Sequence, residues 1–283
     1  MQDRRALLKM MALSPGLAPL IASAAQAQDT LSMESPGAMP VSGERPVMDM
    51  DAIPADWFGT EQVGILIYDQ MTALDVIGPQ HFLAGLMGAT IHLVARTDAP
   101  VTSDSGLVLT PTATFDSCPR DLDVLLAGGG MTGALAAMRD DATLDFLADR
   151  GARAGWVGSV CTGSLLLGQA GLLRGYRATS HWLGRPMLDR FGAIEVDQRV
   201  VIDRNRATGA GVSAGLDLGL ELVKRLRPLD CAQTVQLMAE YAPEPPLDAG
   251  TPDRAPAAVV ANVRDWHVGF TDAVAEAARS ARS

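Results

Sequence analysis

The chain has little cysteine, little histidine, few aromatics and no excess of positive charge. Only three cysteines occur among 283 residues, at positions 118, 161 and 231. They form no Cys-x-x-Cys pair, and no His/Cys cluster has zinc-ligand spacing, so no metal is expected. An odd count leaves at least one thiol outside any disulfide. Lys and Arg number 23 against 33 Asp and Glu, a formal net charge of −10. A nucleic-acid partner needs clustered cations to neutralise phosphates, so none is expected. No apolar run reaches the about 20 residues of a membrane-spanning helix, so no membrane partner is expected for the mature form.

What is present begins with an address. Asp3-Arg4-Arg5-Ala6-Leu7-Leu8-Lys9 precedes an apolar stretch that Pro15 and Pro19 interrupt and Ala25-Gln26-Ala27 closes. Paired arginines, a short apolar region and a small-x-small site predict a twin-arginine signal peptide over residues 1–27. An ordinary secretory leader is the alternative, and either predicts export to the periplasm. Residues 28–61, rich in Pro, Ser, Met and Gly, read as a linker or N-terminal arm. The ordered domain is expected over 62–241. A Pro-rich segment and one C-terminal helix, at 257–281, follow within 242–283.

Short apolar runs at 63–68, 90–94, 123–127 and 156–160 read as strands. Continuous apolar character suits strands covered on both faces. Helical spacing falls between and after them, at 75–87, 132–138, 142–151, 162–170, 213–226 and 230–241. Residues 101–109, with Ser105-Gly106 at the middle, read as a hairpin, and 200–202 and 207–208 as further strands. The alternation predicts an α/β fold, a mostly parallel central sheet with helices on both faces. Ligands in such sheets bind at the carboxyl ends of the strands, which singles out the loops at 69–75, 128–132 and 161–164.

Trp156-Val157-Gly158-Ser159-Val160-Cys161-Thr162-Gly163-Ser164 passes from a buried strand directly into a helix. Small residues at 159, 163 and 164 suit the backbone crowding of a sharp turn, the logic of a nucleophile elbow with Cys for Ser. The turn places the Cys161 sulfur at a helix N-terminus, where a thiolate is expected to be favoured. Cys118 and Cys231 read as structural. Gly128-Gly129-Gly130 follows another strand, and its N–H groups are expected to meet an oxyanion or the substrate. Asp75 reads equally as a helix N-cap or as a proton carrier beside the thiol. His181 reads as a structural histidine or as the base that activates the thiol.

Together these motifs resemble the DJ-1/PfpI superfamily, the class I glutamine amidotransferase-like fold, over about residues 62–256. The matching segments are 74–79 (Leu-Asp-Val-Ile-Gly-Pro), 121–129, 159–163, 170–182, 209–217 and 241–250. Within the superfamily the pattern is similar to the isonitrile-hydrating branch. That resemblance implies a flavodoxin-like sandwich, a homodimer, and addition of water to a small-molecule isonitrile to give an N-substituted formamide. It implies Cys161 as nucleophile with Asp75 and Thr162 as the other catalytic positions, and no cofactor.

There are departures. The superfamily's proteases carry His after the nucleophile, where Thr162 stands, which argues against proteolysis. Gln80-His81-Phe82 lacks the acidic residue many relatives place in that helix. An export leader is unusual for the branch. Other thiol chemistry on the same scaffold, such as glyoxal hydration or amide hydrolysis, and a non-catalytic periplasmic ligand or redox sensor, are the alternative readings.

Overall fold

In the computed structural model, residues 49–278 are described. The expected signal peptide at 1–27 and residues 28–48 of the expected arm lie outside that range. In chain order, after short 3-10 helices at Met50–Ala52 and Ala55–Trp57, come β1 (Gln62–Leu66), α1 (Ala73–Leu83) and β2 (Thr90–Ala95). A hairpin of β3 (Val101–Thr102) and β4 (Val108–Leu109) follows, then β5 (Ala113–Thr114) and β6 (Val124–Ala127). Next come α2 (Thr132–Ala137), α3 (Asp141–Gly151), β7 (Trp156–Val160) and α4 (Gly163–Gln169). The short strands β8 (Arg177–Ala178) and β9 (Ile194–Glu195) precede a second hairpin, β10 (Val200–Asp203) and β11 (Arg206–Gly209). The helices α5 (Ala214–Leu226), α6 (Leu229–Met238), α7 (Ala257–Trp266) and α8 (Phe270–Ala278) complete the described chain.

Seven strands form one sheet in the order β10-β11-β7-β6-β1-β2-β5. Every neighbouring pair is parallel except β10–β11. The central strands are buried along almost their whole length, which explains why they read as apolar runs rather than as alternating ones. One core cluster packs α2, α3, α4 and α8 against the sheet, and a second packs α1, α5 and α6. The flavodoxin-like α/β expectation therefore holds, with helices on both faces.

Two expected elements differ. The helix expected at 75–87 runs from Ala73 to Leu83, so Asp75 stands in its first turn and Thr72 occupies the cap position. Pro79 lies inside that helix, and α5 crosses close beside it. A Cβ on Gly219 would stand 2.8 Å from Pro79 Cα, so only glycine permits this approach. The single helix expected at 257–281 is two, broken at His267–Gly269. All residues of α7 keep some exposure, whereas α8 buries Phe270, Val274 and Ala277 in the core. Burying such side chains contributes about 1.5–3 kcal/mol for each large one, which fixes α8 to the domain rather than leaving it a surface appendage.

Candidate active site

The carboxyl ends of β1, β6 and β7 bring the three loops named from sequence to one place. Cys161 follows β7 directly and adopts a left-handed backbone, φ +60°. For a residue with a Cβ this conformation is strained. Hydrogen bonds on both sides hold it. The Cys161 N–H donates to the Gly209 carbonyl at 3.1 Å. Its carbonyl accepts from the hydroxyls of Ser164 at 3.2 Å and Ser180 at 3.0 Å. Crowding is as the small residues suggested: a Cβ on Gly163 would lie 2.2 Å from the Ala127 carbonyl oxygen.

Asp75 is 1% exposed. The Gly129 N–H donates to its Oδ2 at 2.7 Å. The other oxygen, Oδ1, is buried without a hydrogen-bond partner in the protein. Burial raises the Asp75 pKa to about 7, against the stabilising effects of the Gly129 N–H and the neighbouring Cys161 thiol. Asp75 is thus not a cap. It is a sequestered carboxyl facing the thiol, poised to hold or release a proton near neutrality.

Thr162 completes the group. Its hydroxyl donates to the Gly130 carbonyl at 2.6 Å and accepts the Gly130 N–H at 2.9 Å. A Cβ on Gly129 would stand 2.4 Å from Thr162 Oγ1, so glycine is required where the two loops meet. The glycine run therefore acts as a clamp. Two of its three N–H groups, those of Gly129 and Gly130, are already bound to Asp75 and Thr162. The Gly128 carbonyl accepts from the Tyr68 hydroxyl at 2.9 Å.

The expectation of a resting thiolate at Cys161 is not met. Burial and the Asp75 carboxyl push its pKa well up, and the Thr162 N–H and hydroxyl offset this only in part. The helix that follows is only seven residues long, and Thr162 rather than Cys161 is at its cap position. The partial positive charge of so short a helix does not outweigh desolvation.

Sequence reasoning also raised His181 as a base for the thiol, and the structure gives it other neighbours. Its Nδ1 accepts the Leu183 N–H at 3.4 Å, and its ring is tilted against Trp182 at 5.8 Å. Burial, with His267 nearby, lowers its pKa to about 4. The groups acting on the thiol are Asp75 and Thr162. Three contributors were not read from sequence: Tyr68 on the glycine clamp, Ser180 on the Cys161 carbonyl, and Asp104. The last accepts from the Thr72 hydroxyl at 2.7 Å and adds negative charge near Asp75. Ser180 stands beside His181 in the chain, but a hydroxyl's partner across the fold leaves no mark in sequence.

Cys161 itself is 5% exposed and free of any disulfide. Cys161 does not line any of four cavities of 330–550 Å³ on the described surface.

Fold and site together define a flavodoxin-like α/β protein with a cysteine on a strained strand-to-helix turn, beside a buried acid. Residues 61–225 match the model of the DJ-1/PfpI family, and the chain belongs to that family. It is 50% identical over 203 residues to the isonitrile hydratase of Pseudomonas putida, covering 72% of this chain and 88% of the relative. The crystal structure of a THiJ/PfpI family protein from Pseudomonas syringae superposes with a TM-score of 0.79 at 51% identity, covering 84% of this chain and 98% of that one. DJ-1beta of Drosophila melanogaster shares the fold at 18% identity and a TM-score of 0.60, covering 65% of this chain and 100% of its own.

Proposed function

We propose that the protein hydrates isonitriles to N-substituted formamides through a covalent intermediate on Cys161. The similarity to an isonitrile hydratase supports the substrate class. The observation that carries the chemistry is the buried Asp75 carboxyl beside the thiol, with Oδ1 unpartnered and a pKa of about 7.

The thiol rests protonated, so its proton must leave as the sulfur attacks. Asp75 takes that proton as the sulfur bonds to the terminal carbon of R–N≡C. The same carboxylic acid returns it to that carbon, giving the thioimidate R–N=CH–S–Cys161. No net proton enters or leaves. Water then adds to the carbon, and the resulting R–NH–CH(OH)–S–Cys161 collapses to R–NH–CHO and the free thiol. A raised carboxyl pKa suits both directions of transfer, because general acid–base groups work best near the operating pH.

The terminal carbon of an isonitrile carries no substituent but nitrogen and lies at the tip of a linear group. A thiol with 5% exposure suits such a narrow electrophile better than a bulky amide carbonyl. Charge in the intermediates would be met by the Thr162 N–H, since Gly129 and Gly130 are committed elsewhere. Thr162 in the position after the nucleophile would hold the glycine clamp and act on the sulfur. His181 is left a role at the substrate rim at most. The export leader read from sequence would place this activity in the periplasm.

Incubation with cyclohexyl isonitrile tests the reading. N-Cyclohexylformamide should accumulate catalytically, and its absence with several alkyl isonitriles would overturn the substrate assignment.

A further inference from the structure

A crevice of about 330 Å³ opens on the same edge of the sheet as the thiol. Ile67, Tyr68, Val101, Phe115 and Ala137 supply its apolar body. Its mouth holds one arginine against two aspartates, Arg96 with Asp69 and Asp140. Each carboxylate is oriented by bonds of its own. Asp140 caps α3, where its Oδ2 accepts the Thr143 N–H at 3.0 Å and the Thr143 hydroxyl at 2.6 Å. Asp69 Oδ1 accepts the Thr102 N–H at 2.9 Å. Arg96 uses Nη1 on Asp140 Oδ1 at 2.8 Å. A guanidinium carries five N–H donors, so Arg96 can donate again without releasing Asp140.

The mouth thus offers donors from a cation beside acceptors from a carboxylate. A free carboxylate ligand would meet an excess of negative charge, and an ammonium ligand could pair with Asp69 but would leave the remaining Arg96 donors without an acceptor. A neutral secondary amide satisfies both: its carbonyl accepts from Arg96, its N–H donates to Asp69, and its substituent fills the apolar body. Tyr68 is common to both places, since it lines the crevice and its hydroxyl donates to the Gly128 carbonyl at 2.9 Å, but Cys161, Asp75 and Thr162 do not line the crevice. A Cβ on Gly133 would stand 2.4 Å from the Gln70 carbonyl oxygen, and one on Gly130 2.8 Å from the same atom.

We propose that this crevice is a second binding site, separate from Cys161, for a small N-substituted amide. The inference does not depend on the hydration reading, because it concerns binding and not turnover. N-Cyclohexylformamide is the probe, titrated calorimetrically into the full chain, into protein carbamidomethylated at Cys161, and into the Ala136→Phe and Arg96→Met variants. Ala136 lines the crevice from an exposed position on α2, away from the thiol. Saturable binding should survive alkylation and weaken about tenfold or more in each variant. Circular dichroism checks that the variants fold, and Arg96→Met, an exposed change, serves if Ala136→Phe does not. Several outcomes would overturn the proposal. They are absence of saturable binding, binding lost on alkylation but untouched by both substitutions, or equal affinity for cyclohexanecarboxylate and cyclohexylamine.

Discussion

Three cysteines lie buried in the fold, at 5, 2 and 1% exposure for Cys161, Cys118 and Cys231. Burial raises the pKa of all three. Their neighbours differ in a direction opposite to the usual expectation for a reactive thiol. Cys118 has Arg150 beside it, whose Nη2 donates to the Cys118 carbonyl at 3.1 Å and whose charge lowers the thiol pKa. Cys231 has Arg227 acting in the same sense. Cys161 instead faces an acid that raises its pKa further. Charge alone would select the wrong sulfur. What sets Cys161 apart is a left-handed backbone at the sheet edge and a buried carboxyl acting on the sulfur with no cation beside it, whereas Cys118 has Arg150 and Cys231 has Arg227 opposed by Asp230 and Asp56. The difference supports the proposed mechanism, in which the thiol is activated during attack by transfer to Asp75 rather than held ionised beforehand.

The sharpest way to break that contrast is substitution of each sulfur in turn. Cys161→Ala should lower isonitrile hydration by about 10⁴-fold or more, since a covalent route has no substitute. Cys118→Ala and Cys231→Ala should leave kcat within about twofold, provided the protein remains folded. Steady-state kinetics with cyclohexyl isonitrile distinguishes the three, and a severe loss at Cys118 or Cys231 in a folded protein would end the argument.

Next in size is the acid. Asp75→Asn keeps the shape and the Gly129 hydrogen bond but removes the proton carrier. A loss of about 10²–10⁴ in kcat is expected. The wild-type rate should rise with pH through about 7, as Asp75 ionises, and that inflection should vanish in the variant. A retained inflection near 7 in Asp75→Asn would assign the titration to another group.

Asp75 also links stability to pH. Its folded pKa of about 7 exceeds the ordinary 3.8, so between these values the folded state binds more protons than the unfolded one. Stability should therefore fall as pH rises from about 4 to 7 and level off above, a contribution of a few kcal/mol. Denaturation midpoints measured across that range should show the decline in wild type and a flatter profile in Asp75→Asn.

The smallest effect concerns strain. Cys161→Gly should stabilise the fold by about 1 kcal/mol, because glycine adopts φ +60° without a Cβ penalty, while activity is lost. Cys118→Gly lacks that compensation and should destabilise. Thermal unfolding of the two variants measures the contrast directly.

Much of the scaffold was legible. Apolar runs marked the central strands because a parallel sheet covered on both faces needs them, and the run into Cys161-Thr162-Gly163 marked the turn. Less local features were not. Asp75 reads in sequence as a cap or a proton carrier alike, since nothing there shows that Thr72 precedes the helix or that Gly129 reaches across. The glycine run suggested free N–H donors, but Asp75 and Thr162 occupy two of them. The break at 267–269 leaves no mark in sequence because α7 and α8 share helical composition and differ in what they pack against. The thiol's ionisation is not legible either, because the helix dipole is visible in sequence and desolvation is not.

The central claim is that the Cys161 sulfur bonds to substrate carbon during turnover. Turnover with cyclohexyl isonitrile, trapped by rapid borohydride reduction and followed by peptide mass spectrometry, tests it most directly. The account predicts one reduced isonitrile adduct on the peptide containing Cys161 and none on those containing Cys118 or Cys231. Undiminished formamide production with no adduct at Cys161 under the same trapping would contradict it.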